Sequence, residues 1–143
     1  MNPVSITEAL VEKILAVDYA SLPPAAIDMA KAVTLDGLAV MLAGADEPLG
    51  VGRISIAYVR EMGGAPQASV ITGGFRTSML NAAYANGTMA HALDFDNTWY
   101  PLNHPTSPTL PAILAIAEHH KLPGRKIITA IAAAFEVQGR LRM

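Results

Sequence analysis

The stretch AAIDMAKAVTLDGLAVMLA, at residues 25–43, is apolar on most sides when it is arranged as a helix. A helix that is apolar all round is normally a buried one. Pro23 and Pro24 precede it, and proline suits the first turn of a helix. Gly37 costs roughly 1 kcal/mol relative to alanine in a helix interior, so we expect a neighbouring helix to pack closely against it. The stretch predicts a buried helix in an all-α fold.

Further helices are expected on both sides of this one. Ser5 and Glu8 form a capping-box pattern for the first helix, and Ser78 is placed to cap another. The run at 68–71 is extended but too short for a sheet of its own. The remaining predicted helices span about residues 5–19, 49–62, 79–93, 109–120 and 125–143. The sequence therefore predicts one all-α domain over 1–143, a bundle of about six helices.

The composition indicates an apolar surface that something else covers. Hydrophobic residues make up 52% of the 143 residues and charged residues 15%, whereas a typical domain carries about 25% charged residues. We expect an identical subunit, a second chain or a further part of the same polypeptide to cover that surface. The formal net charge of −2 offers no basic field for nucleic acid.

The sequence also limits the compartment and the cofactors. The chain has no cysteine, which excludes a disulfide and thiolate ligands for zinc or an iron–sulfur cluster. The N-terminal residues are not expected to form a signal peptide, and the apolar runs are interrupted by charged residues such as Asp36 and Glu118. We therefore expect a cytoplasmic protein without a membrane span.

The candidate site is the segment NGTMAHALDFDNTWYPLNHPTSP, at residues 86–108. Connections with many titratable and hydrogen-bonding side chains commonly carry function. Its prolines prevent a continuous helix. The polar and aromatic residues that it concentrates are His91, Asp94, Asp96, Asn97, Thr98, Trp99, Tyr100, Asn103 and His104.

These residue types suit general acid–base chemistry. In an extended segment, side chains at even spacing share one side, so Asp94, Asp96 and Thr98 are expected to line one side of a cavity. His104 follows on the same proline-rich loop, and histidine titrates near neutral pH. A carboxylate and an imidazole that face one substrate can remove a proton next to a carboxylate.

Other roles are open for several of these residues. Asp94 or Asp96 can stabilise the loop as a turn residue, and His91 on an apolar helix can be structural. Trp99 and Tyr100 can anchor the loop to the core. The histidines and aspartates are competent zinc ligands, but their spacing matches no compact metal site. We therefore predict no metal.

The sequence resembles the MmgE/PrpD family. NGTMAHALDFDNTW followed by HP resembles the signature loop of that family, and four other segments resemble it along the chain: AVTLDGLAVMLAGA, SVITGG, LPAILAIAEHH and AAAFEVQGRL. The resemblance implies a lyase that acts on a small di- or tricarboxylate, by cis-aconitate decarboxylation or 2-methylcitrate-type dehydration. It also implies chemistry without metal or cofactor, a large helical domain, a smaller lid domain and a homodimer.

Matched position by position, the family's loop suggests roles for individual residues. The resemblance places Asp94, Thr98 and His104 in the pocket. We expect His104 to donate or accept the proton and Asp94 to orient it or share the transfer. Thr98 and Asn103 are expected to hold a substrate carboxylate, with His91 and Asp96 as further substrate-binding residues.

The sequence departs from the family in two respects. Asn97 stands where many members have an aspartate, and family members are several hundred residues long. The chain therefore resembles the N-terminal part of the helical domain, without the lid. We consider three hypotheses: one half of a split lyase completed by a second polypeptide, a non-catalytic helical binding module, and a small enzyme whose site forms between identical subunits.

Overall fold

The computed structural model describes residues 5–100 and 103–141, and six helices account for most of them. The helices are α1 Ile6–Leu15, α2 Pro24–Gly44, α3 Val51–Met62, α4 Met79–His91, α5 Leu110–His120 and α6 Gly124–Leu141. A short 3-10 helix lies at Tyr19–Ser21, and two strands lie at Ala68–Val70 (β1) and Phe75–Thr77 (β2). The predicted mostly helical fold is confirmed. Among these residues no helix is both long and apolar enough to cross a membrane.

The capping box that the sequence predicts at the start of α1 is present. The backbone N–H of Glu8 donates to Ser5 Oγ at 3.1 Å, and that of Ser5 donates to Glu8 Oε2 at 2.9 Å. The helix ends at Leu15 rather than at residue 19, because the backbone of Asp18 is extended and the 3-10 helix follows. None of the α1 residues is buried, although Ile6 and Leu15 are large and apolar.

Helix α2 is apolar on most sides and was predicted to be buried, but only one side of it is buried. Ala30, Val33, Gly37 and Met41 face the core, while Leu35, Leu42 and Met29 are exposed. The expectation of a close approach at Gly37 is met, since a Cβ there would lie 2.5 Å from Leu110 Cδ2. Glycine therefore allows α2 to pack against the start of α5.

Helix α4 is the central element of the fold, since it packs against α2, α3, α5 and β1. Its small residues Ala82, Ala85 and Ala90 are fully buried, as is Met89. Small side chains let the neighbouring backbones come close. The end of this central helix is consequently held in a fixed position. The candidate site segment, residues 86–108, begins in the last turns of the helix and continues beyond it.

The run at 68–71 contains β1, so its predicted extended backbone is present. The expectation that it is too short for a sheet was wrong, because β1 pairs with β2 in a small antiparallel hairpin. Ala68 pairs with Thr77 and Val70 with Phe75. The buried side chain of Asn86 on α4 holds the hairpin, because its amide donates to Ser69 O at 3.0 Å and accepts from Ile71 N at 2.9 Å. These two bonds satisfy both ends of a buried amide and fix β1 against α4.

Candidate active site

The candidate site is built at the C-terminal end of α4. Ser78 caps the start of the helix, as predicted, by accepting a hydrogen bond from Asn81 N at 3.2 Å. His91 is the last helical residue. The backbone N–H of Asp94 then donates to His91 O at 3.1 Å, and Asp94 takes a left-handed conformation with φ of 54°. The chain therefore turns sharply and returns over the end of α4.

The loop after this turn is attached to α6. Trp99 N donates to Asn103 O at 2.9 Å, and the Trp99 ring packs edge to face on Phe135 of α6, with the ring centroids 5.1 Å apart. The anchoring role expected of Trp99 agrees with this contact. Tyr100 is 96% exposed, so the same expectation for Tyr100 was wrong. Residues 101–102 lie outside the described part of the chain.

Two histidines and two aspartates meet where the loop returns. Asp96 Oδ1 lies 2.9 Å from His91 Nδ1 and 3.2 Å from His104 Nδ1. On the other side of the ring, His104 Nε2 lies 3.3 Å from Asp94 Oδ1. The rings of His91 and His104 are in edge-to-face contact at 4.6 Å. His104 therefore lies between two carboxylates.

The two aspartates of this cluster occupy very different environments. The side chain of Asp96 is fully buried, whereas that of Asp94 is 77% exposed. Burial raises the pKa of Asp96, but the Ser107 hydroxyl, the hydrogen bond to His91 and the charges of the two histidines outweigh it. The pKa of Asp96 is therefore lower than that of an ordinary aspartate, and its side chain is a buried carboxylate at neutral pH.

An open cleft of about 670 Å³ lies beside the histidines. His91, Asn103, His104 and Ser107 supply most of its polar lining, and Tyr84, Thr88 and Pro108 are among its other walls. Of the described residues that line the cleft, none is a lysine or an arginine. The cleft therefore offers imidazole, hydroxyl and amide groups, and it carries no permanent positive charge of its own.

The structure brings together most of the residues that the sequence analysis singled out, but not in the predicted way. Asp94, Asp96 and Thr98 do not share one side of an extended segment, because Asp96 is buried while Asp94 and Thr98 are exposed. Asn103 lines the cleft and Thr98 does not. The predicted alternation of side chains was wrong, because a left-handed turn at Asp94 and a buried Asp96 replace the extended backbone.

Sequence reasoning did not single out Thr88 and Ser107 as site residues. Thr88 lies three positions before His91 on α4 and so shares its helix face, which was a usable signal. Ser107 follows His104 by three residues, but only the fold shows that it lines the cleft next to Asp96.

The fold also creates a compact set of possible metal ligands. His91, Asp94, Asp96 and His104 each offer one donor atom, and these atoms lie within 4.8 Å of one another. The sequence spacing gave no indication of such a compact group, because the loop folds back between Asp96 and His104. Nitrogen and carboxylate donors of this kind suit zinc and similar divalent ions.

The arrangement is suited to proton transfer. A histidine between two carboxylates can hold a proton, and one side of the cluster opens to a cleft large enough for a small metabolite. The same cluster has a strongly anionic side, which an anionic substrate would avoid unless cations face it.

Comparison of the sequence with known proteins gave a family match and two similar enzymes. The family model of the MmgE/PrpD N-terminal domain matches residues 8–143. A cis-aconitate decarboxylase of Mus musculus is 39% identical over 71 residues, which are 47% of this chain. A cis-aconitate decarboxylase of Homo sapiens is 42% identical over 64 residues, which are 42% of this chain.

The matched segments are a small part of these relatives. They span 14% of the mouse protein and 13% of the human protein. The similarity therefore covers about a seventh of each relative's length.

Proposed function

This chain belongs to the MmgE/PrpD family, and from that premise we propose that it is part of a lyase acting on a small di- or tricarboxylate by acid–base chemistry. The observation that carries the proposal is the position of His104, between Asp94 and Asp96 at the edge of the cleft. The named relatives are cis-aconitate decarboxylases, which supports a carboxylate substrate.

In the proposed reaction His104 carries the proton. In a decarboxylation, one carboxylate leaves as carbon dioxide, the electrons of the broken carbon–carbon bond remain on the carbon next to a second carboxylate, and His104 protonates that carbon. In a dehydration, His104 takes the proton from that carbon while hydroxide leaves. Asp94 orients the ring of His104 through its contact with Nε2, and Asn103 holds a substrate carboxylate from the wall of the cleft.

We also propose that a second polypeptide completes the site. A substrate with two or three carboxylates needs cationic partners, and the described lining of the cleft contains no lysine or arginine. The large exposed apolar side chains of α3 and α4, Ile54, Tyr58 and Tyr84, provide an apolar surface next to the cleft. A second chain that packs on this surface would bring the missing positive charge.

The first experiment is native mass spectrometry of the untagged protein purified from its source, followed by an activity screen. We expect a complex with a second, different polypeptide that converts cis-aconitate or 2-methylcitrate. A homo-oligomer of this chain with activity would contradict the split enzyme and would favour a site between identical subunits.

The His104→Ala variant tests the assignment of the proton carrier. Loss of a general acid–base group costs on the order of a hundredfold or more in rate, so we expect at least that loss in kcat. His119→Ala is the matched control, because His119 lies at the exposed end of α5 and lines no part of the cleft. Activity within a few-fold of wild type in His104→Ala would contradict the assignment.

A second candidate function is that of a non-catalytic binding module. An apolar groove of about 560 Å³ lies between α2 and α6 and is lined by Leu22, Met29, Ile131 and Phe135, among others. If the purified assembly converts neither carboxylate, a module that uses this groove is the better description.

A further inference from the structure

Asp96 is the residue whose role the structure changes most. Its side chain is fully buried, and one of its oxygens contacts the Nδ1 atoms of both His91 and His104, at 2.9 and 3.2 Å. A buried carboxylate that already faces two imidazoles is not available to an anionic substrate. The substrate-binding role that the sequence analysis gave to Asp96 therefore does not suit its position.

The contacts of His104 identify which of its ring nitrogens carries the proton. Its Nδ1 also lies 3.2 Å from the backbone oxygen of Asp96. A carbonyl oxygen only accepts hydrogen bonds, and so does an ionised carboxylate. Because both neighbours of this nitrogen are acceptors, Nδ1 is the donor and carries the hydrogen.

Asp94 could attract the hydrogen of the His104 ring to the opposite nitrogen, Nε2, but Asp94 is the weaker hydrogen-bond partner. It lies 3.3 Å from His104 Nε2 and is 77% exposed, whereas Asp96 is buried. Water weakens the interaction of an exposed carboxylate several-fold relative to a buried one at a similar distance. The neutral ring therefore keeps its hydrogen on Nδ1, and Nε2 is left with a lone pair.

The same reasoning applies to His91. Its Nδ1 is 2.9 Å from the Asp96 carboxylate, and its side chain is half exposed and lines the cleft. The hydrogen on Nδ1 again points to Asp96, which leaves Nε2 as the nitrogen able to exchange a proton. One buried carboxylate thus orients two imidazoles that border the same cleft.

We propose that Asp96 is a positioning residue that fixes the Nδ1–H tautomer of both His91 and His104, and that His91 is a second proton-transfer residue of the cleft. The proton-transfer role of His91 rests on the proposed function, whereas the tautomers of the two rings do not. In a dehydration, the Nε2 of one ring removes the proton from carbon, and the other ring in its protonated form delivers a proton to the leaving hydroxide. The overall reaction then releases water, and the pair of rings is left with the same total number of protons.

The tautomers can be measured directly by nitrogen NMR of the two rings. Protein labelled with ¹⁵N in histidine, in the assembly in which it is purified, is studied at a pH at which the rings are neutral. We expect Nδ1 to carry the hydrogen and Nε2 to be unprotonated in both His91 and His104. An Nε2–H form as the main species of either ring would overturn the proposal, and this result needs no variant.

The Asp96→Asn variant then tests whether Asp96 is the cause. An amide both donates and accepts, so Asp96→Asn removes the charged acceptor. The loss of a hydrogen bond to a charged group changes an equilibrium by about tenfold or more, and we expect at least that change in the tautomer ratio of His91. The change should be smaller for His104, whose Nδ1 keeps the Asp96 backbone oxygen. Asp94→Asn is the matched control and should leave both rings in the Nδ1–H form. An unchanged His91 ratio in Asp96→Asn would overturn the proposal.

Kinetic measurements give a second test. They distinguish positioning by Asp96 and proton transfer by His91 from substrate binding by either residue. We expect Asp96→Asn to lower kcat roughly 10- to 100-fold with little change in KM, and His91→Gln to lower kcat rather than raise KM. A rise in KM with unchanged kcat in either variant would mean substrate binding and would overturn the proposal. If no carboxylate is converted by the wild type, the proposed function fails, while the NMR result still decides the role of Asp96.

Discussion

Asp94 combines an uncommon backbone conformation with a position beside His104. Its φ is 54°, and a left-handed conformation costs about 1–2 kcal/mol for a residue with a Cβ, although aspartate and asparagine tolerate it best. In return the turn places the Asp94 carboxylate 3.3 Å from His104 Nε2. Strain of this kind is often retained at functional positions.

Two substitutions at Asp94 should distinguish the effect of its backbone conformation on stability from the effect of its carboxylate on activity. Asp94→Asn tolerates the left-handed conformation, so we expect its free energy of unfolding to stay within about 0.5 kcal/mol of wild type while activity falls. Asp94→Ala should lose activity and about 1 kcal/mol of stability as well. Urea unfolding and rate measurements check both. Equal stability of the two variants would show that the conformation of Asp94 carries no such cost.

The four clustered donors predict a response to metal ions. We propose that the reaction needs no metal, so EDTA should leave the activity unchanged. Added Zn²⁺ should bind His91, Asp94, Asp96 and His104 and lower the rate at least roughly tenfold, because a coordinated imidazole no longer exchanges its proton. Rate measurements during a zinc titration, with EDTA reversal, check this. Loss of activity in EDTA that zinc restores would contradict the metal-free proposal.

The residues of the site were easier to identify from the sequence than their roles. His91, Asp94, Asp96, Asn103 and His104 stand out because they are polar in an apolar chain, and the structure brings four of them into one cluster. Their roles depend on burial, which differs completely between Asp94 and Asp96. Burial arises from the packing of the loop on α4 and α6, and two-residue spacing carries no information about that packing.

At the scale of the elements, the contact between α2 and α5 depends on a residue without a side chain. A Cβ on Gly37 would lie 2.5 Å from Leu110 Cδ2 and 3.0 Å from Thr106 Cγ2. Both partners are fully buried, and buried side chains are generally packed too densely to move aside without cost. Since Thr106 and Leu110 follow His104 closely, this contact also fixes where the loop of the site ends.

Gly37→Ala should therefore destabilise the protein although alanine favours helix. Overpacking costs about 1–3 kcal/mol and the better helix propensity offsets about 1 kcal/mol, so we expect a net loss of about 1 kcal/mol. Gly139→Ala is the control within α6, because its Cβ would lie at an ordinary 3.8 Å from Trp99, and it should be neutral or stabilising. Denaturant unfolding of both variants checks this. A stabilised Gly37→Ala would show that the helices can separate without cost.

The helices could be predicted because their signals are local. Ser5 with Glu8 and Ser78 with Asn81 form their caps within three residues. The hairpin could not be predicted, because its strands have only three residues each and β1 is held against α4 by Asn86, a residue on another element. The packing of α2 against α4 and α6 likewise decides which face of α2 is buried.

For the whole molecule, acid should weaken the fold. Asp96 and Glu118 both have a lowered pKa in the folded protein. For Glu118, burial raises the pKa, but hydrogen bonds from the backbone and hydroxyl of Ser69 and the charge of Arg76 outweigh that effect. A carboxyl with a lowered folded pKa binds a proton more readily in the unfolded chain, so it stabilises the fold above its unfolded pKa of about 4.

We accordingly expect the free energy of unfolding to fall as the pH drops from about 5 through the lowered folded pKa values. Glu118→Gln should be less stable than wild type near neutral pH, and the difference should narrow in acid, where Glu118 is protonated. Urea unfolding at a series of pH values measures this. A difference that stayed constant down to the most acidic pH would show that the charge of Glu118 does not hold β1 against α5.

The chain contains one tryptophan, Trp99, and it lies in the loop of the site against Phe135 of α6. Indole fluorescence of the unlabelled protein therefore reports on the surroundings of Trp99, which include this contact. A ligand that lifted the loop from α6 would expose the indole to water and shift its emission to longer wavelength. A ligand that packed the loop more tightly against α6 would shift the emission to shorter wavelength. The protein thus carries its own optical probe of the contact between this loop and α6.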